Sequence, residues 1–143
     1  MNEMKKILVV EDEQSYRNLL HSELSAKGYL TIDAKDGKEG YEKAIAIQPD
    51  LIILDLLMPG VDGISMLEAL RKDKNGKTMN VIILTNLELD SQVMERVLNA
   101  KPLFYYVKSD ITPSVLVAKI DEEFASQDEK EQAENAKEHA GIL

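Results

Sequence analysis

Short aliphatic runs alternate along the chain with longer stretches in which apolar residues recur every three or four positions. The short runs predict β-strands over residues 6–10, 29–33, 51–54, 80–84 and 104–107. The longer stretches predict about five helices, with apolar stripes that include Leu20 and Leu24, Met66 and Leu70, Val93 and Val97, and Leu116, Ile120 and Phe124. Apolar strands joined by helices are typical of a parallel sheet covered on both faces, so the predicted fold class is α/β.

Residues that favour turns separate these segments. The pattern predicts a left-handed stop of the first helix at Gly28, turns at Asp36-Gly37 and Asn75-Gly76, and breaks at Pro49 and Pro59. Asp62 is predicted to cap the third helix, which then begins at Gly63.

Composition narrows the class of protein further. The 143 residues, 44% of them hydrophobic and 30% charged, predict one globular domain. No apolar run approaches the roughly 18 residues of a membrane span, and the N-terminal ILVV run is too short for a signal peptide. Because this run is no signal peptide, we predict a cytoplasmic location, and the absence of cysteine agrees with a reducing compartment. The net charge of −9 disfavours direct binding to nucleic acid or membranes and favours cations and basic protein surfaces.

Acidic residues follow two of the predicted strands. LIILD, residues 51–55, ends on Asp55, and ILVV is followed directly by Glu11 and Asp12. Ligands of doubly wound sheets bind at the carboxyl ends of strands where the strand order reverses, so these three carboxylates are expected to converge if the first and third strands are neighbours. Such a cluster needs a cation, and hard oxygen ligands favour Mg²⁺ or Mn²⁺.

Two further polar residues are predicted at the same edge of the sheet. Thr85 ends the fourth strand and Lys108 follows the fifth, where its ammonium group is expected to pair with the carboxylates. A carboxylate nucleophile, a divalent ion, a hydroxyl and a lysine together favour phosphoryl transfer, with Asp55 as the acceptor.

These residues, in this order and spacing, resemble the receiver domain of two-component response regulators, the CheY-like superfamily. The resemblance covers roughly residues 4–125 and includes the segment from Asp55 through Met58-Pro59-Gly60 to Asp62-Gly63. It implies a flavodoxin-like (βα)5 fold with a doubly wound, five-stranded parallel sheet in the order 2-1-3-4-5.

The resemblance also implies a function. Asp55 would be phosphorylated by a phosphohistidine of a histidine kinase or a phosphotransfer protein. Mg²⁺ would be held by Glu11, Asp12, Asp55 and the backbone carbonyl of Leu57. The chain would catalyse its own phosphorylation and dephosphorylation without turning over external substrates.

In such domains a signal reaches partners through a conformational switch. The resemblance assigns the switch to Thr85 and Tyr105, which move together and reshape the surface of helix four, strand five and helix five. A downstream protein partner is expected to bind this surface, and a homodimer on phosphorylation is a further expectation.

The sequence departs from the family pattern near the site. Ser109 replaces a common proline after the lysine, and Asn86 stands where a small residue usually follows the threonine. Leu57 and Leu87 occupy positions that tune attack of water on the acyl phosphate, and both are apolar. We therefore hypothesise a long-lived phosphorylated form.

Two alternatives stay open at this point. The first is an aspartate-nucleophile hydrolase, although such enzymes usually carry a second acid two residues after the nucleophile, where this chain has Leu57. The second is a pseudo-receiver that binds proteins independently of phosphorylation. The complete set of Glu11, Asp12, Asp55, Thr85 and Lys108 disfavours a pseudo-receiver, and Asn86 and Ser109 weakly favour it.

Residues 126–143 differ in composition from residues 1–125, which we predict to form the receiver domain. Five acidic residues against two lysines give this segment a charge of −3, without an apolar stripe wide enough to bury. It is expected to be a helix extension or a disordered tail, with a linker or partner-docking segment as the alternative. No output module is visible, so we expect a stand-alone receiver.

Overall fold

A computed structural model describes residues 4–58 and 62–142. The break predicted at Pro59, with its Pro59-Gly60 pair, lies outside the described residues.

The strands form one parallel sheet in the order β2-β1-β3-β4-β5. Their bounds are β1 Lys6–Val10, β2 Leu30–Ala34, β3 Leu51–Leu54, β4 Val81–Thr85 and β5 Phe104–Val107. Three strands have the predicted bounds, and β2 and β4 begin and end one residue later than predicted. The α/β fold class and the strand order are confirmed.

Within the described ranges, five α-helices follow the strands: α1 Gln14–Ala26, α2 Gly37–Ile47, α3 Gly63–Lys72, α4 Ser91–Asn99 and α5 Pro113–Ile142. Aspartate side chains cap three of them, since Asp36, Asp62 and Asp90 accept hydrogen bonds from backbone N–H groups three residues later. The cap predicted at Asp62 is confirmed, and Gly28 has the predicted left-handed conformation at φ +89°. The chain turns at the predicted place, with a bend at Lys35-Asp36 between β2 and α2, and Asp36 accepts from Glu39 N–H as the cap of α2.

The main hydrophobic cluster lies between the sheet and helices α2, α3 and α4. Alternate residues of the central strands point into it, among them Leu8, Val10, Ile52, Leu54, Val81 and Ile83. Ile7 and Val9 point to the opposite face, where α1 buries Leu20 and Leu24. The predicted burial on both faces holds for the central strands. The edge strands β2 and β5 remain partly exposed, because no further strand covers their outer side.

The chain forms two compact units, Met1–Ile111 and Thr112–Leu143. The first holds the sheet with α1 to α4, and the second consists chiefly of α5. Within α5 the buried apolar residues include the predicted stripe of Leu116, Ile120 and Phe124. The helix continues through residues 126–142, so the segment is a helix extension where it is described. A domain boundary at residue 125 stays a prediction. Among the described helices, none is long and apolar enough to cross a membrane.

Candidate functional site

The predicted carboxylates meet because β1 and β3 are neighbours in register, with Val10 beside Leu54. The next residues in each chain segment therefore leave the sheet together. Glu11, Asp12 and Asp55 each offer a carboxylate oxygen, and these oxygens lie within 4.8 Å of one another. Glu11 and Asp55 are 3% and 6% exposed, whereas Asp12 is exposed to solvent. The cluster thus has two buried ligands and one side open to solvent.

Lys108 closes the buried side of this cluster. Its Nζ donates to Glu11 Oε2 at 2.9 Å and to Asp55 Oδ2 at 3.0 Å, and its side chain is only 11% exposed. The pairing expected from the sequence is therefore present. A buried ammonium group between two buried carboxylates stabilises charges that would be costly alone.

Among the residues that the structure describes, three donors hold the Asp55 carboxylate. Besides Lys108, the Thr85 hydroxyl donates to Asp55 Oδ1 at 2.6 Å and the Leu57 backbone N–H donates to the same oxygen at 3.0 Å. Thr85 is itself held, since Leu87 N–H donates to its Oγ1 at 3.2 Å. Asp55 is therefore fixed in orientation by β4, by the loop after β3 and by the end of β5.

The surroundings separate the pKa values of the two buried acids. Burial, together with the nearby Asp55 charge, raises the pKa of Glu11 to about 7, although Lys108 lowers it. Burial also acts to raise the pKa of Asp55, but the hydrogen bonds from Thr85, Leu57 N–H and Lys108 prevail and lower it. Asp55 is therefore ionised at neutral pH, as a nucleophile must be.

The donor set fits a divalent cation. Three carboxylates converge while a single ammonium group neutralises them, so the site retains an excess of negative charge. Among the described residues the Asp12 carboxylate makes no hydrogen bond or ion pair, which leaves it available as a ligand. Hard carboxylate oxygens with an open side suit Mg²⁺, which keeps several waters when bound.

Tyr105 lies on the core side of β5. It packs against the hydrophobic cluster under α2, α3 and α4, and burial raises the pKa of its hydroxyl. It also lines a groove of about 710 Å³ formed by the β4–α4 loop, α4 and β5, together with Asn86, Leu87, Glu88, Leu89, Met94, Val107 and Ser109. Tyr106 points to the other face. This placement supports the choice of Tyr105 over Tyr106, and its role as a switch stays a prediction.

Sequence reasoning missed two contacts in the site. The ring of Tyr16, on α1, lies over Lys108, with Nζ 4.2 Å from the ring centroid. Asn86 Oδ1 accepts a hydrogen bond from Ser109 N–H at 2.8 Å. Asn86 and Ser109 both depart from the family pattern. Because proline has no N–H to donate, a serine at position 109 together with an asparagine at position 86 could have indicated this hydrogen bond from the sequence.

The parallel sheet, the acidic cluster and the lysine define a receiver-type signalling domain. The family model of the response regulator receiver domain matches residues 7–121, and the chain belongs to this family of two-component signalling proteins.

Curated relatives and solved structures agree with this assignment. The chain is 49% identical over 70 residues to the alkaline phosphatase synthesis transcriptional regulatory protein PhoP of Bacillus subtilis, covering 49% of this chain and 29% of PhoP. It is 34% identical over 117 residues to the probable transcriptional regulator ycf27 of Guillardia theta, covering 81% of this chain and 44% of that protein. A CheY-like receiver domain from Methanospirillum hungatei superposes with a TM-score of 0.79 at 26% identity, covering 90% and 99% of the two chains. The chain thus spans less than half the length of both curated relatives.

Proposed function

We propose that Asp55 accepts a phosphoryl group from a phosphohistidine of a histidine kinase or a phosphotransfer protein, in a reaction that depends on Mg²⁺. The observation that supports it is an ionised, buried Asp55 that receives hydrogen bonds from Thr85 and Lys108 beside two further carboxylates. An Asp55 oxygen bonds to phosphorus as the bond from phosphorus to the imidazole nitrogen breaks, and the imidazole leaves.

Each residue of the site has a separate role in this proposal. Glu11, Asp12, Asp55 and the Leu57 carbonyl would hold Mg²⁺, which would offset negative charge on the phosphoryl oxygens. The Thr85 hydroxyl and the Lys108 ammonium group, which now bind the Asp55 carboxylate, would donate to the transferred oxygens instead. The chain would act on its own aspartate and not turn over external substrates.

We propose that phosphorylation is recognised by a protein partner that binds at the groove beside Tyr105. Leu87 connects Thr85 to this groove. Its backbone N–H donates a hydrogen bond to Thr85 Oγ1, and Leu87 also lines the groove. A shift of the Thr85 hydroxyl would therefore alter the packing of Tyr105, and a protein partner would bind the altered α4 and β5 surface. The share of α5 in this surface, a homodimer on phosphorylation and a cytoplasmic location stay predictions.

Intact mass spectrometry after incubation with acetyl phosphate and Mg²⁺ tests the acceptor. We expect one added phosphoryl mass that EDTA prevents and that Asp55→Asn abolishes. Asp62→Asn is the matched control, because Asp62 only caps α3, and it should still label. Absence of labelling under conditions that label a known receiver would contradict the proposal and favour the pseudo-receiver.

The lifetime of the phosphorylated form gives a second test. Leu57 is 58% exposed and Leu87 is partly buried, and neither side chain can orient a water molecule for attack on the acyl phosphate. We expect the phosphoryl mass to persist for minutes or longer at neutral pH, and Leu57→Asn to shorten this time by supplying a polar group. A half-life of seconds for the parent chain would contradict the hypothesis.

A further inference from the structure

We propose that Tyr16 is a positioning residue for Lys108, whose ring holds the ammonium group against the Asp55 acceptor. This inference rests on the proposed phosphoryl transfer and adds to it a residue that neither receives the phosphoryl group nor binds the metal.

The contact has the geometry of a cation–π interaction. Lys108 Nζ lies 4.2 Å from the centroid of the Tyr16 ring, inside the roughly 6 Å limit for such contacts. The same nitrogen donates to Glu11 and Asp55 at 2.9 and 3.0 Å. The ammonium group therefore lies among two carboxylates and one aromatic ring, and the ring takes the place of water on one side of it.

Lysine needs such support more than arginine would. Its ammonium group is a point charge at the end of a flexible stem, without the fork of donors that fixes a guanidinium group. The ring limits the positions that the stem can reach. Because the attraction to a ring face depends little on the direction of the N–H bonds, the ammonium group can turn from a carboxylate to a phosphoryl oxygen without losing the ring contact.

The ring is held by the same loop that supplies the carboxylates. Tyr16 lies in the first turn of α1, four residues after Asp12. The neighbouring Arg17 donates from Nη1 to the backbone oxygens of Glu11 and Asp12 at 2.7 and 3.3 Å, which ties this turn to the loop after β1. The ring is thereby fixed relative to the acidic cluster.

The aromatic ring, and not the hydroxyl, makes this contact. The Tyr16 hydroxyl oxygen is buried and has no hydrogen-bond partner among the residues the structure describes. A buried hydroxyl without a partner does not stabilise the fold. Phenylalanine should therefore replace Tyr16 with little loss, whereas leucine would fill part of the space without offering a negatively polarised face.

The first experiment compares the rate of phosphoryl incorporation from acetyl phosphate at saturating Mg²⁺. We expect Tyr16→Leu to slow it by about 5- to 30-fold, the range that corresponds to a desolvated cation–π contact, and Tyr16→Phe to retain most of the parent rate. The dissociation constant for Mg²⁺ should change less than about twofold, because the ring offers no oxygen to the metal. Tyr41→Leu is the matched control, since it removes a partly buried tyrosine from α2 and should leave the rate unchanged.

A double-mutant cycle separates positioning from a general packing effect. In the Lys108→Gln background, Tyr16→Leu should have almost no further effect on the rate, because the group it positions is gone. An equal fall in both backgrounds, or a Tyr16→Leu rate within about twofold of the parent, would overturn the proposal. Should Tyr16→Leu fail to fold, trifluorophenylalanine at position 16 keeps the ring shape and weakens its negative face. It should slow labelling relative to Tyr16→Phe, and equal rates would overturn the proposal.

A last measurement distinguishes failure of this inference from failure of the proposed function. If the parent chain takes no phosphoryl group, the proposed function fails, and ¹³C relaxation of the Lys108 Cε group in the metal-free chain decides the role of Tyr16. Greater mobility in Tyr16→Leu than in Tyr41→Leu supports the positioning role, and equal mobility overturns it.

Discussion

Lys108 occupies the site in the same region that the divalent cation would use. Its ammonium group donates to Glu11 and Asp55, two of the three carboxylates that could hold the metal. Burial by itself would lower the pKa of Lys108, but its bonds to these carboxylates prevail and raise it, so it stays charged. In the proposed function this one side chain would have two opposed effects, since it would assist transfer and compete with the metal.

Lys108→Gln should separate these effects. We expect the phosphorylation rate to fall by about 10²-fold, as when an electrostatic donor is removed from a transfer site, while the affinity for Mg²⁺ stays equal or rises. Labelling by mass spectrometry and calorimetric titration with Mg²⁺ measure the two quantities. Lys77→Gln, an exposed lysine on the α3–β4 loop, is the control. A marked loss of Mg²⁺ affinity in Lys108→Gln would contradict this account of the site.

Glu11 gives the metal-free protein a characteristic pH dependence. Its pKa is about 7 in the fold against an ordinary value of 4.5, so between these values the folded state keeps a proton that the unfolded state releases. The free energy of unfolding should therefore fall as the pH rises from about 4.5 to 7. The lowered pKa of Asp55 acts in another window, because its contribution is lost only as the pH falls below its ordinary value of 3.8.

Melting temperatures in EDTA, measured for the parent chain and Glu11→Gln, test this sign. The fall in melting temperature between pH 4.5 and 7 should be steeper in the parent, and saturating Mg²⁺ should weaken it, because the metal binds the ionised form. Parallel curves for the two proteins in EDTA would show that Glu11 does not titrate in this range.

At the level of elements, the ends of β4 and β5 are joined by a single side chain. Thr85 ends β4 and Lys108 follows β5, and the next residues, Asn86 and Ser109, are hydrogen-bonded at 2.8 Å. In relatives with proline after the lysine this bond is impossible. The bond couples the two segments that carry the hydroxyl and the ammonium group of the site.

Asn86→Ala should release the segment after β5. We expect the Ser109 amide to exchange with solvent about 5-fold faster or more, and the free energy of unfolding to fall by about 0.5–1.5 kcal/mol, the usual net value of one hydrogen bond. Asn86→Asp keeps the acceptor oxygen and serves as the control. Unchanged Ser109 exchange in Asn86→Ala would show that the bond does not restrain this segment.

At the scale of the whole molecule, Phe124 is the last buried apolar side chain in the part of α5 through residue 139, and residues 129–139 are exposed. Residues 126–143, which include this exposed segment, carry a charge of −3, a third of the total of −9. We propose on this basis that residues 1–125 suffice for the receiver domain.

A chain that ends at residue 125 should therefore keep its function. We expect its melting temperature to stay within about 5 °C of the parent and its phosphoryl labelling to be unchanged, because residues 126–139 contribute no buried apolar side chain. A chain that ends at residue 118 is the contrast, since it also loses buried Ile120 and Phe124 and should be destabilised by several kcal/mol. Loss of labelling on cutting at residue 125 would assign the extension to the functional domain.

The sequence by itself determined the strands, the class of the fold and the residues at the carboxyl edge. Strand ends are fixed locally, because an apolar run such as ILVV must stop where Glu11 begins, and parallel strands bring their carboxyl ends to one edge. Glu11 and Asp55 are expected to converge only if β1 and β3 are neighbours, as they are in the structure. The prediction of that strand order came from the resemblance to the receiver family, because hydrophobic periodicity does not specify the order of strands in a sheet.

Apart from the predicted pairing of Lys108 with the carboxylates, only the tertiary structure decided which side chains touch across distant segments. Tyr16 and Lys108 are on different elements, and the apolar period of α1 places Tyr16 on a face without saying what that face meets. The Asn86–Ser109 bond and the exposure of β2 and β5 likewise depend on neighbours that are remote in sequence. The physical reason is that local patterns set the direction of a side chain relative to its own element, whereas contacts and burial depend on the packing of elements against one another.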